Sequence, residues 1–548
     1  MPTFQEQIIA DNAYARSVRN TGNWENLWQE LADYELPSMA DFTQRNNPGQ
    51  RRGLKIVNST GLLAAREAAT RVNGFLTGDG TSWFDLRIPD PRIESDPAVR
   101  RWLDELKRLM YTVFNSPGTG WGIAKDPTYK QLLVFGNGPL FVGESRSGWP
   151  FYRPEFLGNC AIWTDDNNKV VALFREYQNT AWGLARQFGA DTLPDTVKSF
   201  LDTEPARRFT CVHAVRPRMD TDPFDPVGKP IIEGYVLKET GDLLGEPRGY
   251  WEFPWMFPRW SVNPNEFYGR GPGEDALQDV KMLQRIDTDI AKHVSMNVDP
   301  QWLVEDETGV SPRINQVPGG MVYGRQNAKG IWNVDRLGPT GNSGDAVEYM
   351  GDKVRAVKAL FYLDAFRMVE KISESGSVVH MSATEFAGRQ ADQFRFAGPA
   401  LERLRAEFLF RLVSRTAAIL IRNQKISPPP PQLRGAPIHA EYVSPLAVAQ
   451  RASEGSSVLQ LIGDIIPLAQ VDPRALDIIN VGRAGQVLGR SRHVPQEVLN
   501  SPEEIAAMQK ARADVAAQEA ATEQMVAASG AAKDNAKALQ LMQGGSGA

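Results

Sequence analysis

The run from Met381-Ser-Ala-Thr-Glu385 through Gly398-Pro399 to Ser427-Pro-Pro-Pro-Pro431 decides how this 548-residue chain is read. Ser382 and Glu385 have capping-box spacing, each able to satisfy a free amide of a first helical turn, and Met381 with Phe386 has the spacing of a hydrophobic staple. Leu401, Leu404, Phe408 and Leu412 then recur at helical intervals, while Phe410, Val413, Ala417 and Leu420 form a second apolar row. That pattern predicts a helix buried on more than one side. From Ser382 to Gln424 it would reach ~60 Å at ~1.5 Å per residue, kinked at Gly398-Pro399, where proline removes a backbone hydrogen bond. Arg422 and Lys425 complement the negative end of its dipole, and the prolines forbid continuation.

Upstream lie two further long helical patterns. After Tyr268-Gly-Arg-Gly-Pro-Gly273, the residues Leu277, Val280, Leu283, Ile286, Ile290 and Val294 form one stripe. Its mate starts at Asp345 and Glu348, again at capping-box spacing, and carries Val347, Met350, Val354, Val357 and Phe361 in steps of three and four, the period of a helix packed along another. Between them, 299–343 is rich in Gly and Pro with short strand-like runs at Gln301–Val304, Gly320–Tyr323 and Ile331–Val334. The pattern describes an antiparallel helical stalk with a small β tip.

The N-terminal part to about residue 115 reads as helices, with Trp24, Leu27, Trp28 and Leu31 on one face and Val99, Trp102, Leu103, Leu106 and Met110 on another. From Leu132 to Trp260 short β-branched and aromatic runs such as Val170–Tyr177 and Phe209–Val215 read as antiparallel strands, interrupted by a helical excursion from Trp182 to Asp202. Met368 to His380 reads as a loop, Ile438 to Val443 as a strand, 446–499 as short helices, and 502–528 as an Ala-rich helix before a disordered tail. The fold class is α+β, predominantly helical.

Composition bounds the function. Hydrophobic residues at 42% and charged ones at 23% describe an ordinary globular chain, long enough for three or more structural units. No apolar run approaches the ~20 residues that cross a bilayer, and Met1-Pro-Thr-Phe-Gln-Glu-Gln7 has no basic region followed by an apolar core, so neither membrane insertion nor secretion is expected. The 61 Lys+Arg against 66 Asp+Glu give −5, which argues against a protein that wraps nucleic acid by neutralising phosphates. Cys160 and Cys211 are too few for a disulfide framework and read as buried apolar residues.

Ser382-Ala-Thr-Glu385, Gly398-Pro-Ala-Leu-Glu-Arg403-Leu-Arg-Ala-Glu407, Arg415, the proline break and Glu441-Tyr-Val-Ser-Pro445 to Arg451 together resemble portal proteins, the head-to-tail connectors of short-tailed bacteriophages. Trp83-Phe84, Phe135-Gly-Asn-Gly-Pro139, Tyr268 to Leu277 and Asp299-Pro300 fit the same family in the same order, so the resemblance covers roughly residues 20–500. It implies a wing (1–268), a first stem helix (269–297), a clip (298–343), a second stem helix (344–367), a channel loop (368–381), the long wing helix (382–427) and a crown (428–501), followed by the C-terminal segment 502–548. It also implies a dodecameric ring at one capsid vertex of the virion, assembled in the host cytoplasm, that conducts double-stranded DNA. The implied partners are the terminase large subunit, the major capsid and scaffolding proteins, and tail adaptor proteins. A tail adaptor ring protein, or a nuclease or ATPase of the packaging apparatus, are the alternatives.

No enzymatic chemistry, cofactor or metal is expected. Gly269-Arg-Gly-Pro-Gly-Glu274 precedes a helix, but Glu274 and Asp275 would repel phosphate and no Gly-Lys-Ser/Thr comes after them, which makes it a helix-start turn. His213, His293, His380, His439 and His493 are scattered without metal-ligand spacing. Gly143-Glu-Ser-Arg-Ser147-Gly misses the nucleophile-elbow register, and Asp287-Thr-Asp289 would point to different sides of a helix. On the long helix Arg389, Arg395, Arg403, Arg405, Arg411, Arg415, Arg422 and Lys425 outnumber Glu385, Asp392, Glu402 and Glu407. A DNA-lining surface is one reading; salt bridging between subunits is preferred, because Arg and Glu interleave. The resemblance puts Arg367, Lys371 and His380 at the channel constriction, and puts motor and tail docking on the clip residues Trp302, Glu305, Asp306, Glu307, Arg313 and Arg325.

Overall fold

The computed structural model describes residues 3–364 apart from 45, 48, 79–81, 95, 300, 306–320, 325–335 and 338–342, then 398–433, 438–442 and scattered positions from 461 onward. Two compact units divide it, one of Met1–Glu94 with Trp102–Pro445 and one of Ser95–Arg101 with Leu446–Ala548. In the second, the described positions between Leu461 and Lys533 are helical. No described helix is long and apolar enough to cross a membrane.

The β body of the first unit is antiparallel, as the alternating runs predict. β4 (Cys160–Thr164), β5 (Val170–Thr180), β6 (Arg208–Pro217), β7 (Ile231–Leu237) and β8 (Arg248–Tyr250) form one sheet in that order. Successive residues of β6 serve opposite faces. Val212 and Ala214 pack with Phe174 and Val236 beneath Ile8 and Ala15 of α1 (Phe4–Thr21), while Cys211 joins Leu184 of the excursion helix α7 (Ala181–Phe188) and Val197 of α8 (Asp195–Lys198). Both cysteines are free and buried, and burial pushes the Cys211 thiol up to about 12. A smaller sheet runs β3 (Pro150–Pro154), β2 (Leu140–Glu144), β9 (Trp255–Met256).

The helical layer is built from α2 (Trp24–Glu35), α3 (Thr60–Thr77), α5 (Pro97–Asn115), which comes after the single turn α4 (Pro91–Glu94), and α6 (Trp121–Phe135). Ala64, Ala65, Ala68 and Ala69 of α3 are buried, small enough to let a neighbouring helix approach closely, and Thr77 Oγ1 meets Tyr129 Oη of α6 at 2.9 Å. Trp83-Phe84 leads into β1 (Phe84–Arg87), whose antiparallel partner is β13 (His439–Tyr442), so a strand that follows α3 and one that follows the long helix share a two-stranded sheet.

The long helix is described from Gly398, and its predicted capping box at Ser382 lies outside the described residues. α11 (Gly398–Leu404) passes into a π-turn (Arg405–Leu409) and then α12 (Phe410–Arg422). Leu404, Phe408, Leu412, Val413, Ala417 and Leu420 are buried as the two rows predict, but Phe410 is 39% exposed. The π-turn explains the difference, since one extra residue per turn rotates the downstream side chains relative to a regular helix. Helical geometry stops at Arg422, before Ser427. Gln424 takes a left-handed φ of 52°, and Lys425 N donates to Leu420 O at 3.0 Å, a Schellman-type end that acts ahead of the prolines.

Candidate functional site: the helical hairpin and its base

The predicted stalk is present as α9 (Pro272–Val298) packed along α10 (Ser343–Leu360), with β10 (Gln301–Glu305) between β11 (Met321–Gly324) and β12 (Arg336–Leu337). β10 pairs parallel with β11 and antiparallel with β12. α10, read as continuous to Arg367, breaks at Phe361–Tyr362, where Tyr362 adopts φ 56°.

Two glycine motifs singled out by the sequence prove to be one joint. Gly136 sits at φ 74° where a Cβ would collide with the Gly269 carbonyl, and a Cβ on Gly271 would collide with Leu133 O. Only glycine allows that approach. Asn137 locks it, because its Nδ2 donates to Phe135 O (2.8 Å) and Gly269 O (2.9 Å) while its Oδ1 accepts from Gly269 N (2.8 Å), all buried. α9 therefore begins from a fixed point, with Gly271 as N-cap, Pro272 in its first turn, and Glu274 and Asp275 on its positive end. Arg270 bonds Glu266 at 2.6 Å and also Glu274, so the cation of the glycine turn is already paired.

Further along, Gln284 Oε1 accepts from the amides of Val57 and Asn58 (both 2.7 Å), and its Nε2 donates to Asn58 O (2.8 Å). Lys281 reaches Glu30 on α2 (2.6 Å), and Lys353 of α10 reaches Asp279 (2.8 Å). Beyond Gln284 the buried face ends. Ile286 and Ile290 are half-buried, Val294 is 52% and Val298 81% exposed, and Val347 on α10 is 50% exposed. The apolar stripe thus outruns the surface that the described residues supply to cover it.

Among the predicted site residues, Trp302 and Glu305 stand on β10, opposite Met321 and Gly324 of β11 in register. Asp306, Glu307, Arg313, Arg325, Arg367, Lys371 and His380 lie outside the described residues. At the described positions of the long helix, the cations find partners within the chain. Arg415 is 2% exposed and donates to Val142 O (2.8 Å), Glu252 O (2.7 Å) and the Glu252 carboxylate (3.3 Å). Arg422 takes Glu252 at 2.5 Å, Arg405 takes Glu402 at 2.7 Å, and Arg411 donates to Val170 O at 3.4 Å. Lys425 lies 5.1 Å from the Trp149 ring centre. The i,i+4 pair Arg403–Glu407 (3.2 Å) keeps to the predicted local pattern, yet the main partner of Glu407 is Arg259, which sequence reasoning misses. No signal in sequence spacing could find a pair so far apart.

Known proteins resemble this chain over nearly its whole length. The family described as "Bacteriophage head to tail connecting protein" matches residues 10–499. A probable portal protein of Bordetella phage BPP-1 is 30% identical over 518 residues, spanning 91% of this chain and 90% of that one. The portal protein of Salmonella phage epsilon15 is 27% identical over 554 residues, spanning 99% and 96%. With the family match running from the N-terminal helices past the long helix, the chain belongs to the portal proteins, the head-to-tail connectors of tailed bacteriophages.

Proposed function

We propose that the chain is the repeating subunit of a closed twelve-fold ring at one capsid vertex, through which double-stranded DNA is packaged and later ejected. The observation that carries this reading is the outer half of the α9–α10 hairpin. Val294, Val298 and Val347 continue an apolar stripe that the described residues leave exposed, and in a member of this family a second copy is the occupant that repeats. A heterologous contact of that kind closes into a ring when its rotation divides the circle.

In this reading α9 and α10 are the stem, the β10–β12 module is the clip, 368–381 is the channel loop, the β body with the long helix is the wing, and 428–501 forms the crown. The clip, through Trp302, Glu305, Asp306, Glu307, Arg313 and Arg325, docks the terminase large subunit first and tail adaptor proteins afterwards. Major capsid and scaffolding proteins surround the wing. Arg367, Lys371 and His380 face DNA at the constriction, and the subunit has no catalytic residues. Twelve subunits of formal charge −5 carry about −60, and an acidic wall with few cations lets DNA slide without sticking. Assembly takes place in the host cytoplasm and the ring ends in the virion.

The test is the mass and image of the purified protein. Twelve chains of 60.8 kDa give a particle of roughly 0.7 MDa with a central hole in negative stain. Monomers or dimers at every protein and salt concentration would overturn the reading, and Mg²⁺-dependent DNA cleavage or ATP hydrolysis would replace it with the packaging-enzyme alternative.

A further inference from the structure

Glu35, the last residue of α2, is fully buried, and neither carboxylate oxygen has a hydrogen-bond partner among the described residues. It is wedged under the start of α9. A Cβ on Gly273 in the first turn of α9 would collide with Glu35 Oε2, and one on Gly61 in the first turn of α3 would lie 3.5 Å from Glu35 Cγ. Val134 of α6 closes the same space, its carbonyl 2.8 Å from that Gly273 position. Gly273 thus makes room for a carboxyl group to which no described residue hydrogen-bonds, and Gly61 makes room for Val280 beside it.

The charged groups on the packed elements are engaged with one another. On α2, Glu30 holds Lys281 and Asp33 holds Lys55; on α3, Glu67 holds Arg71; on α6, Asp126 holds Lys130. On α9, Glu274 holds Arg270, which also acts on Asp275, and Asp279 holds Lys353. Arg66 of α3 and Lys125 of α6 do not bond Glu35 either. A carboxylate left there as an anion would be desolvated without compensation, a far larger penalty than burying the neutral acid. Burial accordingly pushes the Glu35 carboxyl well above the usual carboxylate range.

We propose that Glu35 is a proton-operated latch beneath α9: protonated, it lets the first turn of α9 seat on α2, α3 and α6, and lifting that turn admits water and releases the proton. Asn137 fixes the chain at Gly269 just before this turn, and Gln284 fixes α9 to Val57 and Asn58 beyond it, so the movement is a local opening between those two points. The seated state binds one more proton than the lifted state. Its stability is therefore complete at low pH, below the unperturbed carboxyl value of about 4.3, and is lost as pH rises through the raised value. The latch concerns the single chain and stands whether or not twelve copies close into a ring.

Hydrogen exchange of full-length protein from about pH 5 to about pH 9.5, corrected for the intrinsic pH dependence of exchange, tests this. In the wild type, protection of the amides of 273–280 is expected to fall about tenfold per pH unit from the unperturbed carboxyl value up to the raised one and to level off above it. Glu35→Gln, neutral and of the same shape, should keep that protection at high pH and lose the protonated-carboxyl infrared band. A wild-type profile flat across the range, or one that Glu35→Gln reproduces, overturns the latch. If the Gln variant does not fold, Glu35→Met of similar volume takes its place, and the wild-type profile alone still decides against the proposal if it is flat.

Discussion

Arg259 and Glu407 form a two-point ion pair, Nη2 to Oε1 at 2.6 Å and Nε to Oε2 at 3.1 Å, across 148 positions of sequence. The same guanidinium donates to Asn168 O (2.6 Å) and Phe267 O (3.0 Å), so one 1%-exposed side chain ties the π-turn of the long helix to two loops of the β body. Removing one member of such a pair strands the other. Glu407→Ala is expected to lower unfolding free energy by about 3–5 kcal/mol. Arg259→Lys should lose much of the same stability, because an ammonium cannot make the two-point contact. Urea denaturation of both variants measures the effect.

The glycine joint predicts a sharp contrast between positions. Gly136→Ala should abolish soluble protein or lower stability beyond any surface change, since φ is 74° and the new Cβ meets the Gly269 backbone. Gly122→Ala, in helix α6 with nothing within 4 Å, should raise stability by about 0.5–1 kcal/mol. Thermal melts of the pair distinguish a conformational requirement from a general dislike of substitution.

The stripe on α9 separates assembly from folding. Val298→Asp changes an 81%-exposed residue and should leave the melting of the isolated subunit within about 0.5 kcal/mol of wild type. Ring formation by mass photometry should be lost. Rings that persist at normal yield would move the subunit interface elsewhere.

Charge reversal of Glu305, Asp306 and Glu307 is expected to leave rings intact while weakening terminase or tail-adaptor binding, measured by co-sedimentation. Loss of rings with unchanged partner binding would exchange the roles assigned to hairpin and tip.

Replacing Lys371 and His380 by alanine should preserve the ring and alter packaging efficiency or DNA retention. Removing a cation that neutralises one phosphate lowers the log-log salt slope by about 0.9, so the defect should shrink as ionic strength rises. Packaging and retention equal to wild type at low and high salt would make these two residues ordinary surface groups.

How far the sequence could be read depended on the range of each interaction. The stripe of α9, the pairing of α10, the antiparallel strands and the burial of Cys160 and Cys211 result from periodicity and residue type, which act over a few positions. The order of glycine motifs was legible too, but not that Asn137 binds Gly269 across 132 positions. On the long helix the partners stayed hidden for the same reason. Its Arg and Glu residues interleave as local or intersubunit pairs would, yet Arg415 and Arg422 share Glu252, which stands 163 and 170 positions away. Glu35 gave no signal at all, because an acid at the end of a helix is ordinary until three neighbours close over it.

The π-turn at Arg405–Leu409 makes the long helix sensitive to length rather than to identity. Ala400, Leu404, Phe408, Leu412, Thr416 and Leu420 are buried at every fourth position, and at ~100° per residue such a row drifts ~40° per step around a regular helix. The additional residue in the turn takes back much of that drift, so that Phe408 packs against Trp121 and Tyr129 of α6 while Arg415 reaches Val142 of β2. Deleting one residue from 405–409 would leave every later side chain chemically unchanged and swing it by ~100°, carrying Arg415 off Val142 and Thr416 off Tyr152, which it meets at 2.9 Å. Insertions and deletions here should prove less tolerated than any substitution, so the segment behaves as a gauge whose setting is its residue count.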